Sequence, residues 1–339
     1  MTARTDLEAL IELFTPEIRA AFLAAIQDIV DNAILKAVIA AIQAGNVEQA
    51  FRALGFSPAA MRPLTVAIEK AFETGGVMTG STFPKYLNTP SGKAVFRFDV
   101  RNSRAEKWLR DHSSELITRI ESETRTNVRN VLTEGMQAGR NPRNVALDIV
   151  GRIDPVSGKR TGGIVGLTEG QEYWVRSART KLQTLDAKYF AMELRDKRFD
   201  GTVRKAIDAG TPLPADTVDK LVDRYKANAL RYRGETIGRT EAIQSLNRSE
   251  YEATMQAVDM GAVSKNAVQR EWDSAGDNRV RFSHQVLDGK RVGLHQAFVS
   301  PSGARMMFPG DTSLGAGAAE VVNCRCRVRT IIDWLADLD

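Results

Sequence analysis

Both cysteines of the chain lie near its C-terminal end, within the run Val-Val-Asn-Cys-Arg-Cys-Arg-Val-Arg at residues 321–329. Apolar and polar residues alternate along this run, and the alternation predicts a β-strand. One face of this strand would carry valines and the thiols of Cys324 and Cys326, whereas the other would carry an asparagine and three guanidinium groups. The two faces suggest different chemistry, namely metal binding by the thiols and anion binding by the arginines.

Metal binding would need ligands in addition to the thiols. Cys324 and Cys326 form, with His284 and His295, a set of two thiols and two imidazoles, which are zinc ligands. However, zinc sites usually separate paired cysteines by two to four residues, and on a strand these Cβ atoms would lie about 6 to 7 Å apart. That separation also exceeds the roughly 3.8 Å of a disulfide. The sequence therefore favours buried thiols that pack as small hydrophobic side chains, with no metal and no cofactor. His284, Cys324 and Cys326 are the candidates if a metal is bound.

Hydrolysis is a second possible chemistry of this region. Asp273, Asp277 and Asp288 could hold a divalent ion beside His284 as a general base, as in a metal-dependent nuclease. Three of these residues also have a structural interpretation. Asp288-Gly289 is typical of a hairpin turn, Asp277 suits a turn that its side chain stabilises, and His284 would orient that network. We therefore expect no catalytic residues, and keep the nuclease as the alternative.

Anion binding is the third possibility. Residues 279–329 contain eight basic and three acidic side chains, an excess equal to the net charge of +5 of the whole chain. Clustered guanidinium groups would bind phosphates or carboxylates, and any contact with DNA would be to its backbone, without sequence preference. Internal salt bridges to neighbouring aspartates explain the arginines equally well. The candidate arginines for DNA or an acidic partner are Arg279, Arg281, Arg325, Arg327 and Arg329.

The order of these residues resembles the phage Mu-type head morphogenesis family, also called minor head or minor capsid proteins. The resemblance covers about residues 140–330 and is most specific from Trp272 to Arg327, with an Arg-Thr-Glu in the helical region before it. Family members often carry a histidine just before Asn-Cys-Arg-Cys, where this chain has Glu320-Val-Val, and this difference argues further against a metal. For most motif positions the resemblance implies a role in holding the C-terminal unit together. These positions are Arg239, Thr240, Glu241, Trp272, Asp277, Arg279, His284, Asp288, Gly289, Cys324, Arg325 and Cys326.

The resemblance also implies a function. Members are built into the head of a tailed phage or prophage in few copies, act in head assembly and are associated with the portal protein. The implied partners are the portal protein, the major capsid or scaffolding protein, and packaged DNA, with a further role in genome packaging or DNA ejection. We therefore expect a non-enzymatic protein of the capsid interior, made in the host bacterial cytoplasm, as the low cysteine content suggests. No run of about 18 apolar residues predicts a membrane span.

The elements that position these residues are predicted to be mainly helical, in an α+β fold. Because one hydrophobic core rarely grows to 339 residues, two or three structural units are expected. We predict an N-terminal helical region at 1–76, a linker and strand at 77–101, a central long-helix region at 102–261 and a C-terminal α+β module at 262–339. The Gly-Gly pair at 75–76 is expected to end a helix.

Local signals predict individual elements within these segments. A strand is expected at 95–100, and a capping box at Thr168 and Gln171 is expected to start a helix that runs towards Phe199. A further helix is predicted from 215 to 260. Short strands are predicted at 267–272, 291–299 and 305–308.

Overall fold

A computed structural model describes residues 3–334 and residue 336. The helices are α1 (Ala3–Asn32), α2 (Leu35–Gln43), α3 (Val47–Ala53), α4 (Arg62–Ser81), α5 (Ser103–Gln137), α6 (Pro142–Val150), α7 (Glu169–Gln183), α8 (Asp200–Asp208), α9 (Ala215–Asp259), α10 (Phe282–Leu287) and α11 (Ala318–Val321). The strands are β1 (Leu87–Thr89), β2 (Gly92–Ala94), β3 (Arg152–Ile153), β4 (Arg160–Thr161), β5 (Val268–Asp273), β6 (Arg291–Gly293), β7 (Phe298–Val299), β8 (Arg305–Met306) and β9 (Arg327–Ile332). Of the residues that the structure describes, 61% are helical, and the sheets are small and antiparallel, which confirms the α+β, mainly α, fold class.

The chain divides into two compact units. Unit 1 contains the residues up to Ala21, Leu64–Ser113 and the residues from Glu235 onward, and unit 2 contains Phe22–Pro63 and Ser114–Gly234. The four segments expected from the sequence stay a prediction. Among the residues that the structure describes, no helix is both long and apolar enough to cross a lipid bilayer.

Strand β5 is the centre of the main sheet of unit 1. The sheet has three antiparallel strands in the order β6-β5-β9, and Trp272 of β5 lies opposite Val328 of β9. Val268, Arg270 and Trp272 are buried, while the residues between them point to the other face. The predicted strand at 267–272 is confirmed. The predicted segments at 291–299 and 305–308 contain the shorter β6, β7 and β8, of which β7 and β8 pair as a hairpin.

A hydrophobic core lies against this sheet. Trp272 is fully buried at its centre, and its ring contacts those of His284 and Phe298 at centroid distances of 4.9 and 5.3 Å. Both cysteines belong to this core, with exposed fractions of 1% and 2%. The prediction that the thiols would be buried is confirmed, so their reactivity and ligand binding depend on what surrounds them inside the core.

The predicted strand at 321–329 is wrong over its first half. Helix α11 ends at Val321, and β9 does not begin until Arg327. Between them Asn323 adopts a left-handed backbone with φ of 55°, a conformation that asparagine tolerates better than most residues and that a strand does not contain. The alternation of buried and half-buried residues persists through this turn, and this is why the pattern resembled a strand.

Two predictions near the first linker are also wrong, for one physical reason. Helix α4 continues through Gly75 and Gly76 to Ser81, and residues 95–99 form no strand. The ring of Phe98 packs so closely on Gly76 that a Cβ atom there would lie 2.3 Å from it, and Phe96 packs on Gly80 in the same way. The glycines of α4 therefore provide close contact with aromatic rings, and do not end the helix.

In unit 2 the predicted capping box is confirmed. The Thr168 side chain accepts the backbone N–H of Gln171 at 3.1 Å, and the Gln171 side chain accepts that of Thr168 at 3.1 Å. The helix that it starts ends at Gln183 and not near Phe199, because the chain continues in short 3-10 turns at 187–191 and 197–199. The helix predicted from 215 to 260 is confirmed as α9.

Candidate functional site

Helix α9 holds the turn that precedes the two cysteines. The hydroxyl oxygen of Thr240 accepts the backbone N–H of Asn323 at 3.1 Å, at the position where the backbone becomes left-handed. Because this N–H is not part of a strand ladder, it needs another acceptor, and the buried threonine supplies one. Thr240, the central residue of the Arg-Thr-Glu in the helical region, thus holds Asn-Cys-Arg-Cys directly.

A second contact from α9 fixes the chain after the cysteines. The side chain of Asn247 donates to the carbonyl oxygens of Pro309 and Cys326 at 3.0 and 3.3 Å. The Oδ1 atom of Asn247 accepts the N–H of Val328, the second residue of β9, at 2.9 Å. Asn247 is 1% exposed, so one buried amide satisfies three backbone groups that belong to two different segments.

The thiols and one imidazole lie together between these two contacts. The His284 Nδ1 atom is 3.5 Å from the Cys324 sulfur and 3.4 Å from the Cys326 sulfur, and all three potential ligand atoms lie within 4.8 Å of one another. A hydrogen bond from the Cys326 thiol lowers the pKa of Cys324, and this bond together with burial raises the pKa of Cys326. We call these three residues the Cys-His cluster. His295 is exposed and not part of it.

A carboxylate holds the other side of the imidazole. The Glu320 Oε2 atom lies 2.9 Å from the His284 Nε2 atom. Glu320 also accepts hydrogen bonds from the hydroxyl groups of Ser283 and Ser302 at 2.9 and 2.6 Å. Burial alone would raise the pKa of Glu320, but the hydrogen bonds from Ser302 and Ser283 outweigh it and the pKa is lowered. The carboxylate is therefore ionised and fixed beside Nε2 of the histidine, whose Nδ1 faces the two sulfurs.

The arginines on the sheet are paired with acidic side chains of β5. Glu271 accepts hydrogen bonds from Arg291 of β6 at 2.7 Å and from Arg329 of β9 at 2.5 Å. Asp273 accepts one from Arg327 at 2.6 Å. Each pair consists of residues directly opposite each other on antiparallel strands, where opposite charges stabilise the pairing. We call these contacts the charge ladder.

Two further arginines are also engaged, whereas one is largely free. Arg325 binds Asp277 with both guanidinium nitrogens, one of them at 2.6 Å, and this hydrogen bond lowers the pKa of Asp277. Arg281 donates to the backbone oxygens of Glu320 and Val322. Arg279 contacts Asp277 at only 3.4 Å, and its side chain is 76% exposed.

The remaining motif residues have structural contacts. The Asp288 carboxylate accepts the N–H of Ser274 at 2.7 Å, and Gly289, with φ of 72°, donates its N–H to the Trp272 carbonyl at 2.8 Å. Glu241 is buried beside His112, with 2.5 Å between Oε2 and Nε2. Arg239 is partly exposed and lies 3.7 Å from Glu235. Among the described residues, Asp273, Asp277 and Asp288 form no metal-ligating group with His284.

Sequence reasoning missed Arg270, which has no exposed surface although it is charged. Its guanidinium donates to the carbonyl oxygens of Met307, Gly293 and Gln296 and so ties the end of β6 and two loop positions to β5. Burial lowers its pKa to about 10, so the group remains protonated at neutral pH. The signal in the sequence was its place between Val268 and Trp272, on the buried face of an alternating strand.

Comparison with known proteins gives one family and one relative of note. Residues 197–329 match the family described as Phage Mu protein F like protein. The minor head protein GP7 of Bacillus phage SPP1 is 35% identical over 72 residues, which are 21% of this chain and 22% of that protein. The alignment thus spans about a fifth of the relative, and no solved structure matches the chain. Residues 197–329 of this chain are thus similar to the Phage Mu protein F like family, and the recognition of a phage head morphogenesis family from its sequence is confirmed.

Proposed function

We propose that the protein is a minor head protein of a tailed phage or prophage and acts in head assembly from the capsid interior, near the portal. The observation that carries this proposal is the family match over residues 197–329, which includes every motif residue from Arg239 to Cys326. The name of the relative, a minor head protein, points in the same direction. The relative shares only a fifth of its length with this chain, so its role is carried over here as a proposal.

The contacts of the motif residues support a role without catalysis. Asp273, Asp277 and Asp288 each accept hydrogen bonds from a guanidinium group or a backbone N–H, and these contacts hold the unit together. A nuclease needs carboxylates that converge on an ion and leave positions for water and substrate. The acidic residues here are used instead to fix strands and turns, as a structural component of a particle requires.

The proposed partners are the portal protein and the major capsid or scaffolding protein. Quantitative mass spectrometry of purified procapsids and mature heads, combined with cross-linking, tests this proposal. We expect a few copies per particle and cross-links from this chain to the portal. Absence of the chain from both particles would overturn the proposal, and presence at the copy number of the major capsid protein would contradict the minor role.

Contact with packaged DNA is proposed only for Arg279, because its side chain is 76% exposed and its contact with Asp277 is long at 3.4 Å, whereas the other candidate arginines bind their partners in unit 1 more closely or are less exposed. The logarithm of a DNA-binding constant falls with the logarithm of salt concentration by about 0.9 per phosphate contact. We expect Arg279→Ala to reduce that slope by about 0.9. Arg327→Ala, which removes an arginine bound to Asp273, is the matched control and should leave the slope unchanged. A reduced slope for Arg327→Ala would show that the charge ladder opens to bind DNA.

A further inference from the structure

We propose that Cys324, Cys326 and His284 bind a zinc ion that stabilises the C-terminal part of unit 1. The inference does not depend on the proposed function, because it concerns how the motif residues are held and not what the particle does. It also reverses the expectation from the sequence, which favoured buried thiols without a metal. That expectation assumed a strand, and the turn at Asn323 replaces the strand.

The two distances from the imidazole nitrogen to the sulfurs are those of a tetrahedral zinc site. With Zn–S bonds of about 2.3 Å and Zn–N bonds of about 2.0 Å, sulfur and nitrogen ligands on one zinc lie roughly 3.5 Å apart. The His284 Nδ1 atom lies 3.5 and 3.4 Å from the sulfurs of Cys324 and Cys326. A small shift of the side chains is thus enough to place one ion between the three atoms.

The groups around the cluster support ligand binding. Glu320 lies against the Nε2 atom of His284, an arrangement that leaves Nδ1 as the ligand and increases its basicity. Ser283 and Ser302 fix the carboxylate in turn. The backbone N–H of Cys326 lies 3.4 Å from the Cys324 sulfur and donates to it, as backbone groups do to zinc-bound thiolates.

The surroundings also provide a fourth coordination position. A cavity of about 180 Å³ reaches His284 and Cys326, whereas Cys324 is closed off inside the core. Water in this cavity can complete the four ligands that zinc prefers. Two thiolates neutralise the charge of the ion, so the guanidinium groups of Arg281 and Arg325 at the cavity wall face a neutral site.

Zinc analysis of the full chain, purified without added metal or chelator, is the first test. We expect about one zinc per chain, released when a thiol reagent modifies both cysteines. Replacement by cobalt should give a charge-transfer band with the intensity of two thiolate ligands. A wild-type protein that folds, retains less than roughly a tenth of an equivalent of zinc and gives no such band would overturn the proposal. A disulfide between Cys324 and Cys326 in the freshly purified protein would do so as well.

Two variants separate metal binding from general stability. Glu320→Gln keeps all three ligands, and it should weaken zinc binding by about 10- to 100-fold in competition with a chromogenic chelator. His295→Ala is the matched control, because it removes an exposed imidazole outside the cluster and should leave the affinity unchanged. Cys326→Ser should lose the cobalt band, and if that variant does not fold, the wild-type cobalt spectrum and Glu320→Gln remain decisive. Equal zinc affinity for wild type and Glu320→Gln would contradict the assigned role of the carboxylate.

Discussion

Replacing Asn247 by alanine should open the segment around the cysteines without unfolding the rest of the chain. The side chain makes three buried hydrogen bonds, to Pro309, Cys326 and Val328. Two of these bonds hold the backbone on either side of Arg327, the first residue of β9. The substitution therefore removes the link between α9 and the segment that carries both thiols.

The expected size of the effect follows from these contacts. A buried hydrogen bond contributes about 1 kcal/mol net, so the three at Asn247 contribute about 3 kcal/mol. Alanine favours a helix interior over asparagine by about 0.5 kcal/mol, which offsets a small part of the loss. The net loss of about 2.5 kcal/mol corresponds to a roughly 60-fold increase in the opening equilibrium, since 1.4 kcal/mol is a factor of ten.

Thiol labelling under native conditions measures this opening. The chain has only two cysteines, and both lie in the segment that is expected to open, so the labelling rate reports on that segment alone. The buffer should contain a chelator, because a bound metal would protect the thiols. We expect Asn247→Ala to be labelled about 60-fold faster than wild type when opening and closing are fast relative to labelling.

The exposed Asn266 supplies the control, because Asn266→Ala removes the same amide from the surface and should change the rate little. An increase of less than about 5-fold for Asn247→Ala would refute the reasoning, since the net loss would then be below about 1 kcal/mol, well short of the expected loss of about 2.5 kcal/mol. An equal increase in both variants would show that labelling follows global unfolding.

Two further predictions concern pH and packing. The hydrogen bond from Arg325 lowers the pKa of Asp277, so its stabilisation is present above the unfolded value of about 3.9 and is lost as pH falls through the lower folded value. Thermal unfolding of Asp277→Asn and wild type should therefore differ at neutral pH and converge in acid; a constant difference would be inconsistent with the pairing. Gly76→Ala should destabilise the protein by about 1–3 kcal/mol, because the new Cβ would lie 2.3 Å from the Phe98 ring. Gly201→Ala, in α8 with no atom within 4 Å of the new Cβ, should instead stabilise it in urea unfolding, and the same sign for both variants would contradict this account.

Local patterns in the sequence were sufficient to predict several secondary-structure elements. The capping box at Thr168 predicted the start of α7, and the alternation around Trp272 predicted β5. The Asp288-Gly289 pair predicted a turn, which the left-handed Gly289 forms before β6. In each case the residues that determine the element are neighbours in the chain, so a local sequence pattern is enough to predict it.

The Cys-His cluster could not be predicted in the same way. Its geometry depends on the turn at Asn323, which is held by Thr240, a residue 83 positions earlier in the chain. No local pattern contains that contact, and the alternation of buried residues imitated a strand. The pairing of the arginines was left open for a similar reason, because it depends on which strand lies beside β5. The sequence identified the residues of the site, whereas long-range contacts determined their arrangement.

The opposite faces of β5 together determine which alignment of strands the protein can accept. A shift of one residue against β9 would turn Glu271 and Asp273 into the hydrophobic core and expose Trp272. The same shift would separate the charge ladder, remove Arg270 from its three carbonyl partners and leave the carboxylates of Glu271 and Asp273 buried without their arginines. Misaligned forms are therefore penalised on both faces at once. Each exposed ion pair of the charge ladder adds little net stability to the correctly paired sheet. Its main effect is to discriminate against slipped strand pairings, which favour aggregation.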